Sequence, residues 1–220
     1  MKIKSLIALI LFSLSISGCL NYTQVTTLKT DGSGEMFIHY WMKVDFDNDT
    51  SVVNKLGIFS ADSIRKEFTS KYSTIKNIEV YNDYSDSTIH GKVEITFPSI
   101  DSLNLTEPFK DSHFSYKDGE EETKVFKQVA HSFVTGFGFE NQKLSVKYIY
   151  YIPGKILTHN ANLKENNKLT WEYNSGESNR DKNVEVTFVP YKLKETPVII
   201  YYMAGLMIIT VVFFLLRKKK

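Results

Sequence analysis

Apolar and polar residues alternate along much of the chain between residues 20 and 190, as they do in strands that bury one face. In the stretch Lys92–Phe97, for example, each apolar residue follows a polar one. Stretches of this kind, rich in Val, Thr and aromatic residues, predict strands at Tyr22–Thr30, Glu35–Phe46, Ile75–Tyr81, Thr88–Phe97, His113–Tyr116, Thr123–Ala130, Leu144–Ile152, Lys168–Tyr173 and Val184–Val189.

Two turn signals organise these strands. The first two strands are separated by Asp31-Gly32-Ser33-Gly34, in which glycine can adopt the positive φ of a tight turn. They are therefore predicted to form an antiparallel hairpin. Later in the chain, Pro153-Gly154 is expected to end the strand Leu144–Ile152, because proline has no N–H to donate to a sheet.

One segment shows helical periodicity instead. Ile64, Phe68 and Tyr72 recur every four residues and so share one face of a helix. Ser60 is a residue type that caps helix N-termini, so an amphipathic helix is predicted from Ser60 to Tyr72. The fold class predicted is α+β, a mainly antiparallel sheet with a covering helix. The segment Phe133–Glu140, with two glycines among aromatics, supports no assignment.

The N-terminus has the features of an export signal. Lys2 and Lys4 precede a short apolar stretch, Leu6–Ile16, which is too short to span a bilayer. Ile16-Ser17-Gly18-Cys19 follows and resembles the bacterial lipobox, in which the cysteine is acylated and becomes the new N-terminus. Cys19 is the only cysteine of the chain, so it is the predicted lipidation site and no disulfide is expected. The alternative is an ordinary cleavage site with an unmodified cysteine nearby.

The C-terminal end predicts a transmembrane helix. Val198–Leu216 contains no charged residue, and 19 residues of helix are about 29 Å long, enough to cross the hydrocarbon core. The stretch follows Pro197 and ends in the basic residues 217–220, which favour the cytoplasmic side. Tyr201 and Tyr202 lie near its other end, where aromatic rings favour the membrane interface.

These signals divide the chain into four parts: a signal peptide (1–18), an extracytoplasmic α+β domain (19–196), a transmembrane helix (197–216) and a cytoplasmic basic tail (217–220). The predicted location is the bacterial cytoplasmic membrane, with a lipid anchor and a single membrane pass. The residues between 20 and 196 hold all 25 acidic residues but only 21 of the 27 basic ones, a net charge of about −4. Such a domain lacks the basic field of a nucleic-acid-binding protein.

No arrangement of residues in the sequence predicts catalysis, a metal site or a cofactor. The histidines do not show the i, i+4 spacing of a helical zinc site, and they are His39, His90, His113, His131 and His159. The acidic run from Asp118 to Glu122 is expected to be a solvated turn. The alternating Asp45, Asp47 and Asp49 lack the glycine and glutamate of a calcium loop. The prediction is a protein that is not an enzyme.

The high aromatic content, 14% of the chain, has two explanations. Aromatic residues favour strands and fill ordinary cores, but they also line pockets for apolar ligands. If the sheet and the predicted helix enclose a lipid tail, periodicity suggests that the lining includes Phe37, Phe68, Tyr72, Val93, Ile95 and Trp171.

Short segments resemble the LppM-type lipoprotein domain family of bacterial membrane proteins. They are Thr26–Gly34, soon after the cysteine, and Tyr151-Ile152-Pro153-Gly154-Lys155-Ile156, followed by Asn160-Ala161 and Leu169-Thr170-Trp171. The resemblance implies an extracytoplasmic α+β domain that binds lipids and has no assigned enzymatic activity.

The function expected from these observations is a membrane-anchored, non-enzymatic envelope lipoprotein that binds membrane lipid. The main alternative is a scaffold that holds an envelope protein partner at the membrane, and a hydrolase is a more remote one. An enclosed apolar cavity would favour lipid binding, whereas a flat exposed apolar patch would favour the scaffold.

Overall fold

The computed structural model describes residues 20–44, 46, 57–130, 144–174, 183–191 and 198–217, and within them it contains eleven strands and two α-helices. The strands are β1 (Leu20–Leu28), β2 (Gly34–Lys43), β3 (Thr74–Asp83), β4 (Thr88–Phe97), β5 (Ser115–Asp118), β6 (Lys124–Val129), β7 (Leu144–Tyr151), β8 (Gly154–His159), β9 (Leu163–Glu165), β10 (Lys168–Asn174) and β11 (Asn183–Pro190). The helices are α1 (Ala61–Phe68) and α2 (Val198–Arg217), and 3-10 turns cover Asp101–Leu105 and Glu107–Phe109.

Residues 1–190 and 191–220 form two separate units. In the first unit the strands form a large sheet, in the order β3-β4-β2-β1-β7-β10-β9, and a small sheet, in the order β5-β6-β11-β8. All strand pairs are antiparallel except β1 with β7, which is parallel. The α+β class with mostly antiparallel sheets is therefore confirmed.

The expectation of one sheet needs correction, because the chain leaves the large sheet at the end of β7 and enters the small sheet at β8. The change occurs at Ile152-Pro153. Gly154 then begins β8 beside Pro190, and a Cβ on Gly154 would collide with the carbonyl oxygen of Val189 and the ring of Phe188. Pro153-Gly154 ends one strand as predicted, but glycine here also permits the close approach of β11.

The predicted helix is present but shorter than its periodicity suggested. The hydroxyl of Ser60 accepts a hydrogen bond from the amide of Ser63, and Ile64 is buried. At the other end Thr69 adopts an extended conformation, and its amide and hydroxyl both donate to the carbonyl of Arg65, at 3.0 and 2.6 Å. The helix therefore ends at Phe68, and Tyr72 lies in the following turn and not on the helix.

All the strands predicted within the described residues are found, with ends that differ by a few residues. The sequence reasoning missed β8, β9 and the two 3-10 turns. Most of β8 and all of β9 are exposed, so the alternation of a half-buried strand is absent from β9 and covers only the first four residues of β8. Several earlier expectations concern positions outside the described residues: the signal peptide, Cys19, the segment Phe133–Glu140, His131 and the aspartates Asp45, Asp47 and Asp49.

The large sheet has one covered face and one open face. Alternate residues of its central strands, such as Tyr22, Ile38 and Val93, are buried on the covered face. On this side Phe126 of the small sheet packs on Tyr150 of β7, with ring centroids 4.8 Å apart. The core of the domain is therefore the layer between the two sheets, extended by the buried side of α1.

The second unit contains α2. The helix is long and apolar enough to cross a membrane. Its described residues are exposed apart from half-buried Gly205, whereas a helix that is apolar all round is normally buried in a protein core or in a membrane.

Gly91 provides a test of the core. The ring of Tyr40 lies over this glycine, and a Cβ here would be 2.5 Å from Cζ of that ring. Tyr40 is fully buried and donates its hydroxyl proton to the carbonyl of Ile58, so the ring cannot easily move away. Gly91→Ala is expected to lower the free energy of unfolding by about 1–3 kcal/mol through overpacking, measured by urea denaturation.

The matched control combines Gly91→Ala with Tyr40→Leu. The smaller side chain makes room for the new methyl group, so the double variant should lose less stability than the two single variants added together. If the losses in unfolding free energy of the two single variants simply add up in the double variant, the side chains at positions 40 and 91 do not crowd each other.

Candidate functional site

The six residues predicted to line a lipid site do not share one location. Phe68, Val93, Ile95 and Trp171 are at most 2% exposed and belong to the core. Phe37, at 37% exposed, lies on the open face of the large sheet.

The buried four are also spread out. Strands β4, which carries Val93 and Ile95, and β10, which carries Trp171, are separated by β2, β1 and β7, a distance of about 19 Å across the sheet. Phe68 packs edge-on against Phe109 under α1. Tyr72 is half-buried in the turn that follows the helix. The predicted set thus divides into a part beneath α1, a part beneath the small sheet and the open face.

Trp171 lies where the two sheets are joined. Its indole Nε1 donates to Oδ1 of Asn160 at 2.8 Å, and the same oxygen accepts the amide of Glu185 from β11 at 2.9 Å. The Asn160 amide nitrogen donates to the carbonyl of Asn183 at 2.7 Å. One asparagine therefore connects β10 of the large sheet to β11 of the small sheet, which explains Asn160 and Trp171 structurally.

A chain of hydrogen bonds between side chains crosses the layer between the sheets. Tyr22 donates its hydroxyl proton to Oε1 of Gln24 at 3.0 Å, and Nε2 of Gln24 donates to Thr26 and to the hydroxyl of Tyr150, at 3.2 and 3.0 Å. Tyr150 then donates to Oε1 of Gln128 on the small sheet at 2.5 Å. Because all of these side chains are buried, each lost bond would leave a costly unsatisfied group.

The same layer contains two buried polar atoms without a hydrogen-bond partner among the described residues: Nε2 of Gln128 and the hydroxyl of Tyr148. Burial raises the pKa of Tyr22, Tyr148 and Tyr150 well above the ordinary value, so the phenols stay neutral. The site can donate hydrogen bonds to an acceptor oxygen inside an aromatic layer, but its phenols cannot act as bases near neutral pH.

A second cluster lies on the open face, and sequence reasoning did not identify it. Tyr81, His90 and Trp41 are direct neighbours on β3, β4 and β2. The Tyr81 and His90 rings stack at 4.6 Å with their planes 7° apart, and Trp41 lies 6.0 Å from His90 on the other side. His39, two residues before Trp41, places Nε2 3.0 Å from Nδ1 of His90. The only sequence signal was histidine at outward positions of two strands, and the pairing of β2 with β4 brings them together.

An apolar row also crosses the open face. Strand pairing aligns Phe37, Val25, Ile149, Thr170 and Leu163 on β2, β1, β7, β10 and β9. Beside it are the ion pairs Lys92–Glu79, with a 3.1 Å separation, and Lys147–Glu172, with 2.7 Å. Both ion pairs lie in the cross-strand row of His39 and Thr23, next to the apolar row.

Within the described part of the chain, no group of three or more His, Cys, Asp or Glu side chains is placed to hold a metal ion.

Comparison with known proteins gives a distant structural likeness. No protein-family model matches the sequence, and no curated protein matches it. The folded domain of the Mycobacterium tuberculosis LppM protein, solved by NMR, is similar in structure over 81% of this chain and 95% of that domain. The sequence identity is 12% and the TM-score is 0.45. A likeness of this degree is a distant similarity to the LppM fold and assigns neither a ligand nor a reaction.

The two buried tyrosines of β7 give a matched pair of variants. Tyr150→Phe removes bonds to Gln24 and Gln128 and should lower the free energy of unfolding by about 1–3 kcal/mol. Tyr148→Phe removes a hydroxyl that has no hydrogen-bond partner among the described residues, so the free energy of unfolding should stay the same or rise slightly. Urea denaturation of both variants measures the difference, and equal losses would contradict the assigned hydrogen bonds.

Proposed function

We propose that the protein is a non-enzymatic lipoprotein of the bacterial envelope, anchored in the cytoplasmic membrane, whose extracytoplasmic domain binds membrane lipid. The observation that carries the proposal is α2. Its described side chains are almost all exposed, and an exposed apolar helix of 20 residues is stable beside lipid, not beside water.

The N-terminal side supports a second anchor. The predicted signal peptide ends at Gly18, and β1 begins at Leu20, directly after Cys19. Acyl chains on Cys19 would therefore hold the start of β1 at the bilayer surface without an intervening linker. Anchoring close to a membrane raises the effective concentration of lipid at the domain, so that even weak affinity has an effect.

The layer between the sheets offers what a single-chain lipid requires. The aromatic rings of Phe126, Tyr150 and Trp171 supply apolar surface for a tail. The free donors of Tyr148 and Gln128 suit a carboxyl or ester oxygen, which would end their unsatisfied state. Because these side chains are at most 1% exposed, the layer has to open for a ligand to enter.

Topology is the first test. A reporter that works only in the cytoplasm, fused after Lys220, should be active, and a reporter that works only outside the cytoplasm should be inactive there. The same reporters fused after Pro190 should give the opposite pair of results. An active cytoplasmic reporter at Pro190 would place the domain inside the cell and end the proposal.

Cys19→Ala is the matched control for the two anchors. The wild-type protein should incorporate labelled palmitate and the variant should not. The variant should still sediment with membranes, since α2 remains. A wild-type protein without label would remove the lipid anchor from the proposal but leave the helix.

Lipid binding is tested on the purified full chain in detergent micelles, titrated with a fluorescent fatty acid. Saturable binding that Tyr148→Phe weakens about tenfold is expected, because the free hydroxyl supplies a hydrogen bond of about 1.4 kcal/mol to the carboxyl group. Tyr173→Phe is the control, since the Tyr173 hydroxyl is half-buried and donates to the carbonyl of Asn183. Equal affinities for all three proteins would exclude this site, and no saturable binding by the wild type would exclude the function.

The open face favours a second candidate function, a scaffold for an envelope protein. Its apolar row, from Phe37 to Leu163, includes side chains that are 37% and 52% exposed, and exposed apolar surface often marks a contact with another protein. Substituting Phe37 and Leu163 with Ser should then release a partner that copurifies with the wild type, while lipid binding stays the same.

A further inference from the structure

We propose that His39 and His90 form a single-proton clasp on the open face, which accepts one proton with its hydrogen bonds intact and opens when a second proton binds. The two side chains join neighbouring strands, β2 and β4, and both are half-buried. Here "clasp" denotes His39, His90, Thr88 and Asp86.

The hydrogen bonds of the clasp run in one direction. The Thr88 hydroxyl donates its only proton to Oδ1 of Asp86. Its oxygen lies 2.8 Å from Nε2 of His90 and must therefore accept a proton from that nitrogen. In neutral His90 the other nitrogen, Nδ1, is then an acceptor, and it accepts from Nε2 of His39 at 3.0 Å. Both histidines are thus Nε2–H tautomers.

The two imidazoles face each other end to end. Their ring centroids are 5.2 Å apart and their planes differ by 20°, and the centroid separation is close to the nitrogen separation plus the two ring radii. The N–H of one ring therefore points almost directly at the lone pair of the other. The 3.0 Å separation of the two nitrogens is within the ordinary range of a hydrogen bond.

The first proton has one free position. Nδ1 of His39 has no hydrogen-bond partner among the described residues, whereas both nitrogens of His90 are engaged. Protonation of His39 at Nδ1 leaves every bond of the clasp in place. The positive charge also strengthens the hydrogen bond that Nε2–H of His39 donates.

The second proton cannot be accommodated in the same way. It would have to bind Nδ1 of His90, which already accepts the N–H of His39, so two N–H groups would face each other across 3.0 Å. Two positive rings with centroids 5.2 Å apart also repel each other. The rings must therefore separate before both can be charged.

Other charged groups around the clasp also influence how readily the two histidines bind protons. Lys92 and Glu79 lie in the cross-strand row of His39, where they form an ion pair, and the ring of Tyr81 stacks on His90. Asp83 and Lys43 lie in the row of Thr88. The more distant groups on this face are Glu94, Lys147 and Glu172. Burial lowers the pKa of His39, and the neighbouring His90 and Lys92 lower it further.

Opening of the clasp would change the open face. His90 lies between Tyr81 and Trp41, so its displacement uncovers the indole ring. The Thr88–Asp86 bond also supports the turn between β3 and β4, in which Ser87 has φ of 56° and its carbonyl accepts the amide of Val44 at 2.9 Å. An extracytoplasmic domain is exposed to the pH of its surroundings, so acidification would uncover aromatic surface there. Only this biological role depends on the proposed location.

The test is a pH titration of the full chain in detergent micelles, followed by NMR of the histidine rings. At high pH both His39 and His90 should show the Nε2–H tautomer. On acidification the pair should take up its two protons in separate steps, as expected for coupled like charges. Iodide quenching of Trp41 should increase at the second step, while Trp171, at 1% exposed, stays protected.

The variants His39→Gln and His90→Gln assign the two protonation steps. Each variant has only one of the two histidines, so it should lose the step at lower pH. Trp41→Phe keeps both histidines and should keep both protonation steps.

The stability of the fold gives a second measurement. The lowered pKa of folded His39 means that the unfolded chain binds more protons below about pH 6.5, so this stability is present above that pH and is lost as the pH falls through the folded value.

His39→Gln should therefore make unfolding in urea less sensitive to pH in that window than it is for the wild type. Histidines that titrate together in one step, or an Nδ1–H tautomer of His90 at high pH, would overturn the proposal. These results do not depend on topology or lipid binding, which the reporter fusions and the fatty-acid titration test separately.

Discussion

The parallel pairing of β1 with β7 holds the domain together. It joins strands that are more than 110 residues apart in the chain, and it aligns Gln24 and Thr26 with Tyr148 and Tyr150 on the covered face. A polar side chain buried there needs partners, and Gln24 obtains them from Tyr22, Thr26 and Tyr150. A shift of one residue in this register would turn these groups to the other face. The need of these buried groups for hydrogen-bond partners therefore specifies the register of the large sheet. The bond from Tyr150 to Gln128 links the same network of hydrogen bonds to the small sheet.

The two faces of the large sheet have different physical properties. The covered face is an aromatic layer in which neutral phenols and amides form a polar chain, with unsatisfied donors at Tyr148 and Gln128. The open face holds paired charges, an apolar row and the clasp, and most of these side chains are at least partly exposed. Lipid binding requires the first face to open, whereas a partner or a proton can reach the second directly. The same sheet can thus carry two properties that are separable by mutation, since adjacent residues of a strand point to opposite sides.

The proposed membrane anchoring and the proposed ligand binding depend on separate parts of the chain. The apolar character of α2 is a property of a continuous stretch of sequence, so it supports anchoring without any knowledge of the domain. In the proposals above, the domain supplies the residues that would contact lipid or take up protons. Attachment beside a bilayer makes modest affinities effective, which suits a core that has to open before a ligand can enter. No catalytic arrangement is needed for any of these properties.

Local pattern in the sequence determined the strands from Tyr22 to Phe97, the hairpin at Gly32, the Ser60 cap and the apolar C-terminal helix, because each depends on spacing between near neighbours. Tertiary structure alone decided what is distant in sequence. It divided the strands between two sheets, ended α1 at Phe68, placed Phe37 on the opposite face from Val93, and brought His39 beside His90 across 51 residues. Periodicity shows that a strand has two faces, but not which neighbour each face will meet, since that depends on long-range strand pairing. For this reason the elements could be predicted, whereas the two candidate sites could be found only from the fold.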